Sequence, residues 1–138
     1  MLKRIDHVGV VVDNLAEARS FLESLGLRHN RDLEVSGRLK AAFYTCGEIE
    51  IEVLEITEPA ERSRRLGNAS ARIEHIAIEV EDLVAAAAAL AGLGVRTQTE
   101  APVRLDKGLN YWTVPETCDG VVYQLLEVAK DDPERRED

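Results

Sequence analysis

The sequence predicts an α+β fold: two βαβββ modules forming one curled mixed sheet around a central metal cavity. Residues 5–28 (IDHVGVVVDNLAEARSFLESLGLR) recur as residues 73–96 (IEHIAIEVEDLVAAAAALAGLGVR) at a constant offset of 68, with nine of 24 positions identical. Average composition would yield roughly two matches, so the chain carries a duplicated unit. Each copy opens with a β-branched stretch that suits a strand and continues with apolar residues at helical spacing.

Within each copy the elements follow in order. Residues 5–12 and 73–80 are the strands. Asn14 and Asp82 offer side-chain oxygens at helix N-caps. Leu15, Ala18, Leu22 and Leu25 line one helical face, as do Leu83, Ala86, Leu90 and Leu93. Gly26 and Gly94 stand where a helix ends in a left-handed residue. The alanine run 85–89 reads as a closely packed helix or as a dimer contact. Further strand-like stretches follow at residues 27–35, 38–46 and 48–58 in the first half, and at 95–100, 110–115 and 120–128 in the second. Residues 1–129 therefore form one domain of two modules, 1–58 and 72–129, joined by the polar, arginine-rich linker 59–71. The charged tail 130–138 is expected to be disordered.

With 138 residues the chain can bury a real core. It holds 17 Lys plus Arg against 26 Asp plus Glu, a net charge of −9. That balance excludes nucleic-acid binding by phosphate neutralisation, which needs clustered basic residues. No apolar run is long enough for a membrane span. The N-terminus reads as a strand rather than a signal peptide. Cys46 and Cys118 lack paired spacing and read as buried free thiols, so a cytoplasmic location is expected.

Chemistry concentrates on polar residues in the strands. His7 and His75 occupy the same place in the two repeats. In the strand 48–58, Glu48, Glu50 and Glu52 share one face and Ile49, Ile51 and Val53 the other, which Glu55 continues. A carboxylate on an apolar face is costly unless it is paired or holds a metal. Gln124 sits likewise among Val122, Leu126 and Val128. His7, Glu55, His75 and Gln124 together suit a borderline divalent metal: Zn²⁺, Co²⁺, Ni²⁺ or Mn²⁺.

The opening IDHVGVVVDNL, the strand end LEITEP, the central IEHIAIEV and the stretch PETCDGVVYQLLE resemble the vicinal oxygen chelate superfamily over residues 3–129. That superfamily includes glyoxalase I, methylmalonyl-CoA epimerase, extradiol dioxygenases and antibiotic-resistance proteins, and the last stretch is most similar to the epimerases. The resemblance implies His7, Glu55, His75 and Gln124 as metal ligands. Glu and Gln are exchanged between the halves relative to the epimerase pattern. It implies metal-assisted proton transfer next to a carbonyl, with Glu55 as base and Glu34 near the position of a second acid–base glutamate. The implied activity is a metal-dependent isomerase or lyase of the epimerase kind. The alternatives are a glyoxalase I-like lactoylglutathione lyase and a metal-free antibiotic-binding protein; Gln124 in place of a carboxylate disfavours extradiol ring cleavage. The implied partner is a small molecule, an acyl-CoA or a glutathione thioester or hemithioacetal, and a homodimer is expected. Arg62, Arg64 and Arg65 read either as a solvated linker or as contacts for phosphates or carboxylates of such a substrate.

Overall fold

The computed structural model describes residues 2–129; the expected disordered tail lies outside the described residues. Eight strands and three helices make a mixed α+β fold, as expected. The strands are β1 (Leu2–Val12), β2 (Arg28–Val35), β3 (Leu39–Cys46), β4 (Ile49–Ile56), β5 (Ala71–Val80), β6 (Val103–Leu105), β7 (Gly108–Trp112) and β8 (Val122–Val128); the helices are α1 (Leu15–Ser24), α2 (Pro59–Arg65) and α3 (Leu83–Ala91). No helix among the described residues is long and apolar enough to cross a membrane.

Two compact units divide the described residues, one of residues 6–75 and the other of residues 2–5 and 76–129. The boundaries fall inside β1 and β5. In the first unit the strand order is β2-β3-β4-β1, and in the second β6-β7-β8-β5. The matching orders are the duplication seen in three dimensions.

The first unit packs both faces of its strands. On one face Val12, Ala42, Tyr44 and Val53 bury against Leu22 of α1, with Leu15 and Ala18 packed alongside. On the other, Val11, Ala41, Phe43, Leu54 and Ile56 bury with Leu66, the residue that follows α2. Alternation along β4 therefore sends odd-numbered side chains to α1 and even-numbered ones to the opposite face. In the second unit Val80, Tyr111 and Leu125 pack on Leu83 and Ala86 of α3.

Helix starts repeat closely. Asn14 accepts a hydrogen bond from the Glu17 amide and Asp82 from the Ala85 amide, with φ of −136° and −137°. A second acceptor arrives from the terminal strand of the same unit: Glu55 takes the Leu15 amide at 2.9 Å, and Glu127 takes the Leu83 amide at 2.8 Å. Each carboxylate satisfies an orphan first-turn donor at the positive end of the helix.

Two stretches differ from expectation. The linker is not featureless: Glu58 caps α2 through the amides of Ala60 and Glu61, and Pro59 occupies the first turn, where its missing N–H costs nothing. Residues 95–100 form no strand; only an isolated bridge joins Thr97 to Thr113. There the hydroxyls of Thr97 and Thr99 donate to the carbonyls two residues on, a local alternative to a ladder. Cys46 is exposed rather than buried, and Cys118 is partly so.

Glu55→Ala and Glu127→Ala should each lower unfolding free energy by about 1 kcal/mol, the usual worth of a helix cap. Urea denaturation of both variants checks the equivalence. A large loss in one and none in the other would contradict it.

Candidate metal centre

The site grows from cross-strand register within the first unit. β1 runs parallel to β4 with His7 beside Glu50 and Gly9 beside Glu52; β3 runs antiparallel to β4 with Phe43 beside Glu52. Phe43, Glu52 and Gly9 thus form a row, and Gly9 leaves its place in that row open. The imidazole of His75 fills it: a Cβ at position 9 would overlap that ring. Glycine is required here for close approach of a side chain, not for its φ.

His7, Glu52 and His75 are all buried and meet there. Oε1 of Glu52 lies 3.2 Å from Nε2 of His75 and 3.3 Å from Nε2 of His7. The first pair is a hydrogen bond. The second makes none, and His7 Nε2 is a buried side-chain nitrogen without a hydrogen-bond partner. One donor atom from each of the three residues falls within 4.8 Å of the others. The two rings stand edge to face with centroids 5.5 Å apart, and Phe43 packs on His7 in the same manner at 5.3 Å.

Each histidine is held from behind by the acid preceding it in sequence. His7 Nδ1 lies 2.8 Å from Asp6 Oδ2, and His75 Nδ1 lies 2.9 Å from Glu74 Oε1. An ionised carboxylate only accepts, so both Nδ1 atoms carry hydrogen and both Nε2 atoms face Glu52. Carboxylates bonded to the distal nitrogens, with the other nitrogens converging, is how proteins orient histidines toward a metal. Two imidazoles and a carboxylate also suit a borderline divalent cation. The orphaned His7 nitrogen and this donor set fit such an ion, and His7, Glu52 and His75 could hold one.

Charge follows geometry. Burial alone would lower the pKa of His7, but Asp6 and Glu52 outweigh it and push it from 6.5 up to about 9. His75 moves in the same direction, burial being overcome by Glu52 and Glu74. Burial would raise Glu52, yet the two imidazoles bring it from 4.5 down to about 2. Glu74 also falls to about 2, because Arg65 and His75 overcome its burial.

Beside the cluster, a β-bulge between His29 and Arg31 interrupts β2. Arg31 reaches both oxygens of buried Glu50 at 2.6 and 2.7 Å, and Asn30 donates to Glu50 at 2.6 Å. The Arg31 guanidinium lies 3.9 Å above the centroid of Phe43, an arrangement with cation–π character.

The structure brings His7 and His75 together around Glu52 rather than around Glu55 or Glu34. Glu55 lies on the α1 face of β4 and binds the Leu15 amide; its need for a partner is met by a helix end. Glu52, three residues earlier and on the opposite face, is the carboxylate between the histidines. Gln124 is buried in the second unit, where its amide nitrogen donates to Asn110 at 2.7 Å. Its counterpart in the first half is Glu52, since Phe43 faces Glu52 as Trp112 faces Gln124, and Glu55 corresponds to Glu127. Aligning EVLE (52–55) with QLLE (124–127) shows this in the sequence itself. Glu34 is exposed on β2 opposite Lys40. Trp112 and Tyr123 are half-buried, while Tyr111 belongs to the α3 core. All three linker arginines have carboxylate partners: Arg62 pairs with Asp13, Arg64 with Glu61 and Arg65 with Glu74.

Two outcomes follow for metal-free protein. His7, its pKa raised, stabilises the fold below 6.5 and loses that contribution as pH climbs toward about 9; Glu52, its pKa lowered, stabilises above 4.5 and loses it as pH falls toward about 2. Denaturation midpoints measured in a chelator should therefore peak between these two ordinary values and decline on both sides. Glu52→Gln should flatten the alkaline limb; an unchanged limb would rule out the pairing. Gly9→Ala, which drives a methyl into the His75 ring, should cost about 1–3 kcal/mol. The same denaturation measurement checks it, and a neutral effect would place His75 elsewhere.

No curated protein matches the chain. Among solved structures it is similar to methylmalonyl-CoA epimerase from Mycobacterium tuberculosis, at 22% identity and TM-score 0.84, covering 99% of this chain and 93% of that one. It is also similar to a variant of Streptomyces coelicolor methylmalonyl-CoA epimerase in complex with 2-nitronate-propionyl-CoA, at 26% identity and TM-score 0.83, covering 94% and 97%. A hypothetical protein from Bacillus halodurans C-125 matches at 25% identity and TM-score 0.80, covering 94% and 96%. A family model described as glyoxalase/bleomycin resistance protein/dioxygenase superfamily matches residues 6–111, which takes in His7, Glu52 and His75. The chain belongs to the glyoxalase/bleomycin resistance protein/dioxygenase superfamily.

Proposed function

We propose that the protein is a divalent-metal-dependent isomerase or lyase that moves a proton next to a carbonyl, in the manner of a methylmalonyl-CoA epimerase. The observation that carries this reading is the buried His7–Glu52–His75 cluster, with His7 Nε2 unpartnered and both Nδ1 atoms tied to carboxylates. The similarity to structures of methylmalonyl-CoA epimerases supports it.

In this reading His7, Glu52 and His75 hold the ion. When bound, a divalent cation supplies Lewis acidity, lowering the cost of the negative charge that builds on a carbonyl oxygen as the adjacent C–H is broken. The chain's own groups do the rest. Asp6 and Glu74 keep the imidazoles in the tautomer that leaves Nε2 for the ion. Glu52 is the carboxylate available for accepting a proton at the site. Phe43 packs against His7, and Arg31, paired with Glu50, covers the Phe43 ring. The substrate class proposed is an acyl-CoA thioester, and a glutathione hemithioacetal would use the same chemistry.

A second reading has its own observation. The hydrogen bond from His75 Nε2 to Glu52 makes the cluster self-sufficient in charge without any ion, as a metal-free small-molecule binding protein requires.

Elemental analysis after exposure to Zn²⁺, Co²⁺, Ni²⁺ and Mn²⁺ separates the two. The expected result is one ion per chain in wild type, lost in His7→Ala and His75→Ala and retained in Glu55→Gln. Loaded wild type should then exchange the α-proton of methylmalonyl-CoA with deuterated solvent. Absence of any bound ion would overturn the metal reading in favour of the binding protein.

A further inference from the structure

Arg65 closes α2, in the segment joining the two halves, and nothing in a solvated linker requires it to touch the site. Its guanidinium nonetheless grips Glu74 with a two-pronged contact: Nε to Oε2 at 2.6 Å and Nη2 to Oε1 at 2.6 Å. Oε1 is also the atom that accepts from His75 Nδ1, at 2.9 Å. One carboxylate oxygen therefore joins Arg65 to the His75 ring, and Glu74 cannot rotate to suit either partner without losing both. Flanking contacts hold the end of α2 in turn. The Arg65 carbonyl accepts from Arg72, and the next residue, Leu66, is buried among Val11, Phe43 and Leu54.

The neighbouring arginine shows the contrast. Arg64 pairs with Glu61 on the same helix with its side chain 63% exposed, whereas the Arg65 and Glu74 side chains are 22% and 12% exposed. The first is the kind of surface pair that contributes little. The second is screened from water and geometrically fixed, as planar two-pronged pairing allows only to arginine.

We propose that Arg65 is a positioning residue for the metal centre, acting through Glu74 to aim Nε2 of His75 at the ion. This rests on the metal reading above and adds to it that the linker helix sets how well the site binds. Removing Arg65 frees the Glu74 carboxylate to turn, and the His75 ring loses its fixed orientation.

The test uses the full chain, stripped with chelator and titrated with Zn²⁺ against a chromophoric chelator, with Co²⁺ absorption as a record of ligand geometry. Arg65→Met should weaken Zn²⁺ binding by about 10–100-fold, the usual cost of losing a partner behind a ligating histidine, and should alter the Co²⁺ spectrum. Arg65→Lys should recover part of the affinity, and Arg64→Met should change neither readout. Because Arg65 acts only through Glu74, adding Arg65→Met to Glu74→Gln should weaken binding no further. A merely structural arginine would lower the melting temperature yet leave the spectrum unchanged and the two losses additive. Wild-type affinity and spectrum in Arg65→Met would overturn the proposal while leaving the metal site standing. Failure of wild type itself to bind Zn²⁺ or Co²⁺ would instead remove the metal reading and this inference with it. Should Arg65→Met not fold, Arg65→Gln carries the same two outcomes.

Discussion

A carboxylate sealed inside a protein is among the most expensive groups to bury, and Glu52, 6% exposed, has to be balanced by what surrounds it. Two imidazoles supply that balance, each polarised from behind by another acid, and one of those acids is gripped by an arginine. Sign alternates outward: Glu52, then His7 and His75, then Asp6 and Glu74, then Arg65. Gly9 has no side chain because the His75 ring occupies its space, and Phe43 packs edge to face with His7. The strands hold these pieces in register, so the site and the fold of the first unit are one structure.

Duplication explains how such a cluster arises and why the halves now differ. The same helix-capping device operates twice, through Glu55 and Glu127. The same face of the terminal strand carries Glu52 in one unit and Gln124 in the other. In the second unit Trp112 stands beside Gln124 as Phe43 stands beside Glu52, Asn110 accepts from the Gln124 amide, and buried Glu79 pairs with Lys3 and Arg4.

The histidines were legible in the sequence because a constant offset relates them, and the fold class because two long segments repeat without a gap. Glu52 was less legible. Counting faces on β4 as apolar or polar assumes that the polar face meets water, but both faces are covered here, one by α1 and the other by Leu66 and the site. The alternation holds, but the face that meets the histidines carries Glu52, while Glu55 lies on the α1 face. Asp6 and Glu74 escape the same count: alternation sends a residue next to each histidine to the opposite face of the strand, yet both carboxylates reach Nδ1. Arg65 depends on how the linker folds, which composition alone does not reveal.

The raised histidine and lowered glutamate pKa values describe a site already balanced by protons, and that bears on how it would take a cation. Histidine ligates a metal only as the neutral ring. An ion held by His7 and His75 would need both Nε2 atoms free of protons, so its binding would release them. The carboxylates behind the rings then serve both states, keeping Nδ1 protonated whether positive charge sits on the imidazoles or between them. This is why the cluster's internal hydrogen bonds do not argue against a metal. A site that must remain folded while empty needs a resting charge balance, and the pairing of Glu52 with His7 and His75 provides one.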